Sequence, residues 1–415
     1  MNPDDTMQNT DDIQNPENTV EQTATEKQLT ATDESAKPHA RKRARQGRRG
    51  EGGAEYEVAS QWQLMWWKFK KHRMATIAGP VLIILYVVAF TCEFFGPGLP
   101  TYRYSDYTFA PPSRIRFVDV ETGEFSLRPF VYDIERSTDP ETFRRTYSEV
   151  PGEKYHIHLF VRGRPYKFWG FIPGTIRLFG VRDLDAPFFL LGTDHLGRDM
   201  FTRILYGARI SLSFGIMGIF FTLIIGLILG GLSGYLGGIV DTLIQRLIDL
   251  LLCIPTIPLW MALAAALPRT WGPIQIYFGM ILIFSIIGWT SLGRVVRGKM
   301  LSLREEDFTL AARMAGAKDG RIIRKHLLPS FMSYIIVSIT LSIPQQIIGE
   351  TSLSFLGLGL QPPVVSWGVL LQNAQNIQTL AHHPWLLWPA AFVILAVLMF
   401  NFLGDGLRDA ADPYK

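Results

Sequence analysis

Long unbroken runs of apolar residues recur along this chain, and between the first two of them the pattern changes to strict alternation. The runs lie near residues 74–94, 211–235, 240–267, 274–296, 331–350 and 385–402. Each approaches or exceeds the roughly 20 residues with which a helix crosses a ~30 Å hydrocarbon core. Ahead of the first run stand Trp62, Trp66 and Trp67 with Lys68, Lys70, Lys71 and Arg73, a composition suited to the cytoplasmic interface of a membrane. Between the first and second runs, residues 96–200 read differently. Arg114-Ile115-Arg116-Phe117-Val118 and His156-Ile157-His158-Leu159-Phe160-Val161 alternate with period two, the mark of half-buried strands. Glu121-Thr122-Gly123-Glu124 and Arg162-Gly163-Arg164-Pro165 suit turns between such strands. The pattern predicts an all-α polytopic membrane protein with six transmembrane helices and a small β-rich external insertion between helices 1 and 2.

Composition sharpens this picture. The chain has 415 residues, 48% hydrophobic and only 19% charged, which excludes a soluble enzyme as the whole of it. The mean hydropathy of +0.15 is modest because polar segments dilute the spans. Residues 1–60 are polar and nearly free of large aliphatics, so a disordered cytoplasmic tail is expected there. They also lack the basic start and immediate apolar stretch of a signal peptide. The tail ends in Arg41, Lys42, Arg43, Arg45, Arg48 and Arg49. That cluster fits a solvated juxtamembrane tail near anionic lipid, a protein contact or a nucleic-acid patch. No interleaved aromatics and no following nucleic-acid-binding fold support the last reading, and nucleic acid is not an expected partner.

Arg294, Arg297, Lys299, Arg304, Arg313, Lys318, Arg321, Arg324 and Lys325 crowd the segment between the fourth and fifth runs, which the positive-inside rule makes cytoplasmic. Six crossings from a cytoplasmic amino terminus place that segment inside as well, and return the carboxy terminus inside. Four parts result: a tail (1–60), an interfacial segment with the first helix (61–95), the external insertion (96–200) and a five-helix core (201–415) whose cytoplasmic loop covers 297–330.

Enzymatic chemistry is not evident. Gly293 to Met300 nearly spells a phosphate loop, but Met300 stands where a hydroxyl must reach Mg²⁺ and no strand precedes it. Neither H-E-x-x-H nor G-x-S-x-G occurs. Cys92 and Cys253 are too few for a disulfide framework or a Cys-based zinc site. His156 and His158 would share a strand face and in principle hold a metal, but lack a third ligand, and His382-His383 read as loop residues. No catalytic and no metal residue is assigned.

Other features bear on how the helices pack and on whether they line a solute path. Gly226, Gly230 and Gly234 form a row that admits a neighbouring backbone. Pro255 and Pro258 break one run and Pro344 interrupts another; such breaks occur in transporters and also in inert bundles. Charges in or near the runs are Glu93, Asp241, Arg246, Asp249 and Glu350. Arg246 and Asp249, three apart, are placed to pair on one helix face. Gln345 and Glu350 either line a polar pathway or take part in a buried structural pairing. In the basic loop, Glu305, Glu306 and Asp307 open a helix that Gly316 stops. A second short helix over 319–327 ends at Pro329. Together they predict a knob that fits another protein's groove.

That loop resembles the cytoplasmic signature E-A-A-x-x-x-G-x₉-I-x-L-P of permease subunits of ATP-binding-cassette (ABC) importers. Ala311, Ala312, Gly316, Leu328 and Pro329 fall in register, while Leu310 replaces the Glu and His326 the Ile. Both departures are usual in the dipeptide/oligopeptide/nickel branch. Leu191-Gly192-Thr193-Asp194-His195-Leu196-Gly197-Arg198-Asp199, Tyr206-Gly207-Ala208-Arg209, Glu350-Thr351-Ser352-Leu353-Ser354-Phe355-Leu356-Gly357-Leu358-Gly359 and Gly404-Asp405-Gly406-Leu407-Arg408-Asp409 resemble the same branch. The long insertion is similar to that of microcin-C-type permeases. The resemblance implies a type I importer permease fold in the bacterial inner membrane. It implies a second, homologous permease subunit, two ATPase subunits inside and an extracytoplasmic solute-binding protein outside. ATP and Mg²⁺ then belong to the partners, and this chain carries no cofactor. Phe308, Leu310, Ala311, Ala312, Gly316, Leu328 and Pro329 would couple it to the ATPases. Peptides are the expected cargo, with nickel, microcin-C-like peptides or oligosaccharides as alternatives within the class. A channel or carrier, and a membrane-anchored enzyme using the external domain, are the readings from other classes.

Overall fold

In the computed structural model, residues 61–138, 140–141, 145–268 and 270–411 are described. The polar tail and its basic cluster lie outside the described residues. The chain enters through α1 (Gln61–Lys71), whose last turn carries Lys68, Lys70 and Lys71 against the negative end of the helix dipole. The His72 ring then accepts the Ala75 amide hydrogen at 3.2 Å, starting α2 (Arg73–Phe90). A short α3 (Cys92–Phe95) ends this first apolar unit.

Among the described residues, five helices are long and apolar enough to cross a membrane. They are α2, α4 (Met200–Leu236), α7 (Pro273–Arg304), α10 (Met332–Phe355) and the closing unit Pro384–Ala411, mostly α13 (Trp388–Ala411). The run expected over 240–267 is a bent pair, α5 (Gly238–Cys253) and α6 (Thr256–Ala265), folded by 90°. Ile254 is extended, as the residue before a proline prefers, and Pro255 donates no hydrogen bond, so the helix cannot continue. Counted as one span, the pair makes a sixth. Pro344 does not interrupt its helix as the sequence suggested. It is buried within an unbroken α10, where packed neighbours make the missing hydrogen bond tolerable.

The glycine row of α4 faces α7. A Cβ on Gly230 would stand 2.5 Å from the Gly293 carbonyl oxygen, and one on Gly234 would stand 2.6 Å from that of Arg297. The two helices therefore pack backbone against backbone. Around them sit three apolar clusters. One joins α2, α4, α10 and α13 through Leu82, Leu212, Ile347 and Phe400. A second holds Tyr235, Val296, Ile322 and Leu327, and a third Phe214, Met280, Phe284 and Leu353.

Residues 116–180 form two antiparallel units. β1 (Arg116–Val118), β2 (Phe125–Thr138) and β3 (Arg145–His156) make one sheet, and β4 (His158–Phe168) and β5 (Ile172–Gly180) a hairpin. His156 and His158 do not share a strand face. His156 ends β3 opposite Phe130, whereas His158 opens β4 opposite Gly180. The break falls at Ile157, whose amide leaves both ladders to bond the Pro129 carbonyl at 2.8 Å. Arg162 to Pro165 are an irregularity inside β4 rather than a turn, and the reversal comes at Trp169-Gly170, both at positive φ.

Candidate functional site: a helical knob tied to the membrane spans

The loop after α7 holds α8 (Asp307–Met314) and, beyond Gly316, α9 (Asp319–Ile322). Thr309 is buried, and its hydroxyl bonds the Leu303 carbonyl at 2.8 Å, fixing α8 against the end of α7. Ala312 packs into the cluster around Tyr235 and Ile322, while Phe308, Leu310, Ala311 and Met314 face out. Met314 is 90% exposed, far more than its apolar side chain favours in water.

Gly316 adopts φ +80°. Its amide donates to the Arg313 carbonyl at 3.0 Å and the next amide, of Ala317, to that of Ala312 at 3.1 Å. This double bond pattern is the Schellman stop, which requires a left-handed residue at that position. Leu328 packs on the same cluster as Ala312. Pro329 is exposed and, contrary to the expectation, does not end the second helical segment; a helical turn, Leu328–Ser330, carries on through it.

Tyr235, the penultimate residue of α4, links this knob to the spans. Its hydroxyl lies 2.5 Å from a carboxylate oxygen of Asp319 and accepts a weaker contact from Arg313 at 3.4 Å. Its carbonyl accepts from Arg304 at 3.2 Å. One tyrosine thus joins both helices of the knob to the end of a span. Nothing in the pattern of apolar residues marked it, because tyrosine at the end of an apolar run reads as an interfacial anchor.

Of the charges in or near the runs, Glu93, Asp241 and Asp249 enter inter-helix ion pairs. Arg246 does not pair with Asp249. Asp249 bonds Arg294 of α7 at 2.5 Å and Asp241 bonds Arg297 at 2.6 Å, whereas Arg246 is exposed. α5 leans on α7, so Asp241 and Asp249 reach arginines of that helix, and Asp249 is taken up there rather than by Arg246. Glu350 is fully buried and accepts the hydroxyls of Ser211 at 3.0 Å and Ser354 at 2.9 Å. Those hydroxyls in turn accept the amides of Trp367 and Leu360. Glu350 thereby knots α4, α10 and α11 (Trp367–Leu371) together, ahead of the short α12 (Ile377–His382). Gln345 is exposed, and its neighbour Gln346 points inward. A cavity of about 210 Å³ between α4, α7 and α10 is lined by Thr222, Ser291, Ser338 and Ser342; neither Gln345 nor Glu350 lines it.

A second charged centre lies ahead of α4 and escaped assignment from the sequence. Asp194 is fully buried and pairs with Arg198 at 2.7 Å and with Arg203. Burial pushes its carboxyl upward, but Arg203 and Arg198 outweigh that and hold it below the usual carboxylate range. Asp199 caps α4 by accepting the Thr202 amide at 2.8 Å. Without an ion pair, its carboxyl is pushed up by burial to about 6. The signal was the Asp-x-x-x-Arg-Asp spacing within residues 194–199, whose polarity suggests a solvated loop.

These features define a polytopic, mainly helical membrane protein with a short helical knob fastened beneath its spans. The chain belongs to the family described as the binding-protein-dependent transport system inner membrane component, which it matches over residues 195–414. Residues 60–112 match the N-terminal transmembrane domain of oligopeptide transport permease C. The oligopeptide transport system permease protein OppC of Bacillus subtilis (strain 168) is 40% identical over 223 residues, 54% of this chain and 70% of that protein. The dipeptide transport system permease protein DppC of the same organism is 44% identical over 223 residues, 54% of this chain and 68% of that protein. A solved inward-facing MetNI methionine ABC transporter is 19% identical and covers 51% of this chain and 97% of its own, with a TM-score of 0.40. The chain is thus a permease subunit of the inner membrane, and the relatives it matches are transport permease proteins.

Proposed function

We propose that this permease serves an ATP-driven importer of peptides and that α8 is the element that couples it to cytoplasmic ATPase subunits. The observation that carries the reading is the outward apolar face of Phe308, Leu310, Ala311 and Met314, on a knob tied by Tyr235 to a membrane span. An ATPase groove closing on that face would pull α4 through the Tyr235–Asp319 bond. Ala312, Gly316, Leu328 and Pro329 keep the knob in shape rather than touch the partner. The relatives named for oligopeptide and dipeptide transport support peptides as cargo.

The bent pair counts as one of six spans in this reading, with both termini and the basic loop in the cytoplasm. A second permease subunit completes the pathway, and a solute-binding protein delivers cargo on the far side. ATP and Mg²⁺ act in the ATPase subunits, and this chain needs no cofactor of its own. The test is reconstitution of the co-expressed complex in vesicles with labelled di- and oligopeptides. Uptake should require ATP and should fail when Leu310→Asp prevents the ATPases from co-purifying. Peptide uptake that persists without the ATPases would refute the coupling role. Uptake of nickel or oligosaccharides alone would refute the cargo.

A further inference from the structure

The hairpin β4–β5 is fastened to the end of the first span. Arg177, fully buried, donates to the carbonyls of Glu93 at 3.3 Å, Gly98 at 2.8 Å and Gly96. The Trp169 indole donates to the Phe90 carbonyl at 2.7 Å, and the Trp169 amide to the Glu93 carboxylate at 3.2 Å. Glu93 is itself paired with Arg209 of α4. The hairpin tip is therefore held at the level of Phe90, the last residue of α2.

At that level the hairpin is apolar on its open side. Leu159 and Phe160 are exposed at the far end of the hairpin, where Leu159 pairs with Phe179, and at the tip Trp169, Phe171 and Ile172 are all at least half exposed. They continue a stripe on α2, where exposed Ile83, Val87 and Phe90 follow one another at helical spacing. Phe160 and Trp169 hold φ of 52° and 51°, a left-handed region that bulky side chains rarely occupy. Two strained aromatics, both turned outward in water, would be a double liability.

We propose that this hairpin tip lies in the interfacial layer of the lipid bilayer, as an extension of the lipid-facing stripe of α2. A tryptophan whose ring is half exposed and whose N–H is already bonded suits that layer, where one end of the group is apolar and the other wet. Continuity with the α2 stripe selects lipid over a protein occupant. The inference depends on α2 crossing a membrane and not on the peptide-importer reading.

The experiment places nitroxide labels on the full chain in phosphatidylcholine–phosphatidylglycerol nanodiscs, alone and with its co-purified partners. Cys253→Ser removes the exposed native thiol, and Cys92 is buried. Labels go at Phe171→Cys, at Ser148→Cys on exposed β3 surface, and at Ile84→Cys on the span. The ratio of oxygen to polar nickel-chelate collision at Phe171→Cys should exceed that at Ser148→Cys at least threefold and approach that at Ile84→Cys. A ratio equal to that of Ser148→Cys would overturn the proposal. So would loss of access to both reagents, which would mean that protein covers the tip.

Discussion

Replacing Gly316 by valine isolates backbone conformation from side-chain crowding, because a Cβ built there meets nothing within 4 Å. The whole effect then comes from φ +80°. A side chain with Cβ in the left-handed region costs about 1–2 kcal/mol, and a β-branched one stands at the top of that range or beyond. Taking ~2 kcal/mol, the native turn loses roughly 30-fold in population against alternatives, since each 1.4 kcal/mol is tenfold. The bonds at stake are those from Gly316 to Arg313 and from Ala317 to Ala312, which set where α9 begins relative to α8. Gly316→Val should cut substrate-stimulated ATP hydrolysis and uptake at least tenfold in the reconstituted complex. Insertion should remain normal, because no span is touched. Gly316→Asn should retain most activity, asparagine being the residue after glycine most at ease in that conformation, and Gly316→Ala should fall between. The order Asn, Ala, Val is the signature of a backbone requirement. Equal activity of Val and Asn variants would refute the reasoning and make the glycine a mere flexible link.

Tyr235→Phe removes the hydroxyl between Asp319 and Arg313, a charge-assisted bond worth about 1.5–3 kcal/mol, and should lower uptake several-fold while ATP hydrolysis continues. Comparing the ratio of transport to hydrolysis in the two proteins checks it. Glu350→Leu should orphan the Ser211 and Ser354 hydroxyls at about 1–3 kcal/mol each and lower the melting temperature in detergent, whereas Glu350→Gln should keep most of both bonds. Equal melting of the two variants would count against the knot. Asp199 rises from 3.8 to about 6, so the folded state binds the proton more tightly and stability falls as pH rises between those values. The penalty at neutral pH is about 3 kcal/mol. Asp199→Asn keeps the cap acceptor and should stabilise the protein above pH 6 while removing this part of the pH dependence, as thermal unfolding from pH 4.5 to 7.5 would show.

Much of the architecture follows from the chain read alone. Apolar runs must be helical where no water satisfies the backbone, so run length locates the spans at α2, α4, α7, α10 and α13 within a few residues at most ends. Local rules carried as far as the Gly316 stop, because a left-handed residue after a short helix depends on a few consecutive positions. The helix α8 was also legible, from its acidic start and glycine stop within a single loop, whereas its coupling residues were named only through the family resemblance. What depended on distant partners was not. Asp249 looked three residues along its own helix to Arg246, and the fold gave it Arg294, 45 residues away. Glu350 left open a pathway role or a buried structural pairing, and the fold set it against Ser211, 139 residues earlier. Tyr235, Arg177 and Trp169 carried no local mark at all. A helix or a turn is decided by neighbours in sequence, whereas an ion pair, a buried carboxylate or a strap onto a membrane span is decided by which helices touch. Here it is settled by α5 meeting α7, α4 meeting α10, and the β4–β5 hairpin meeting the end of α2.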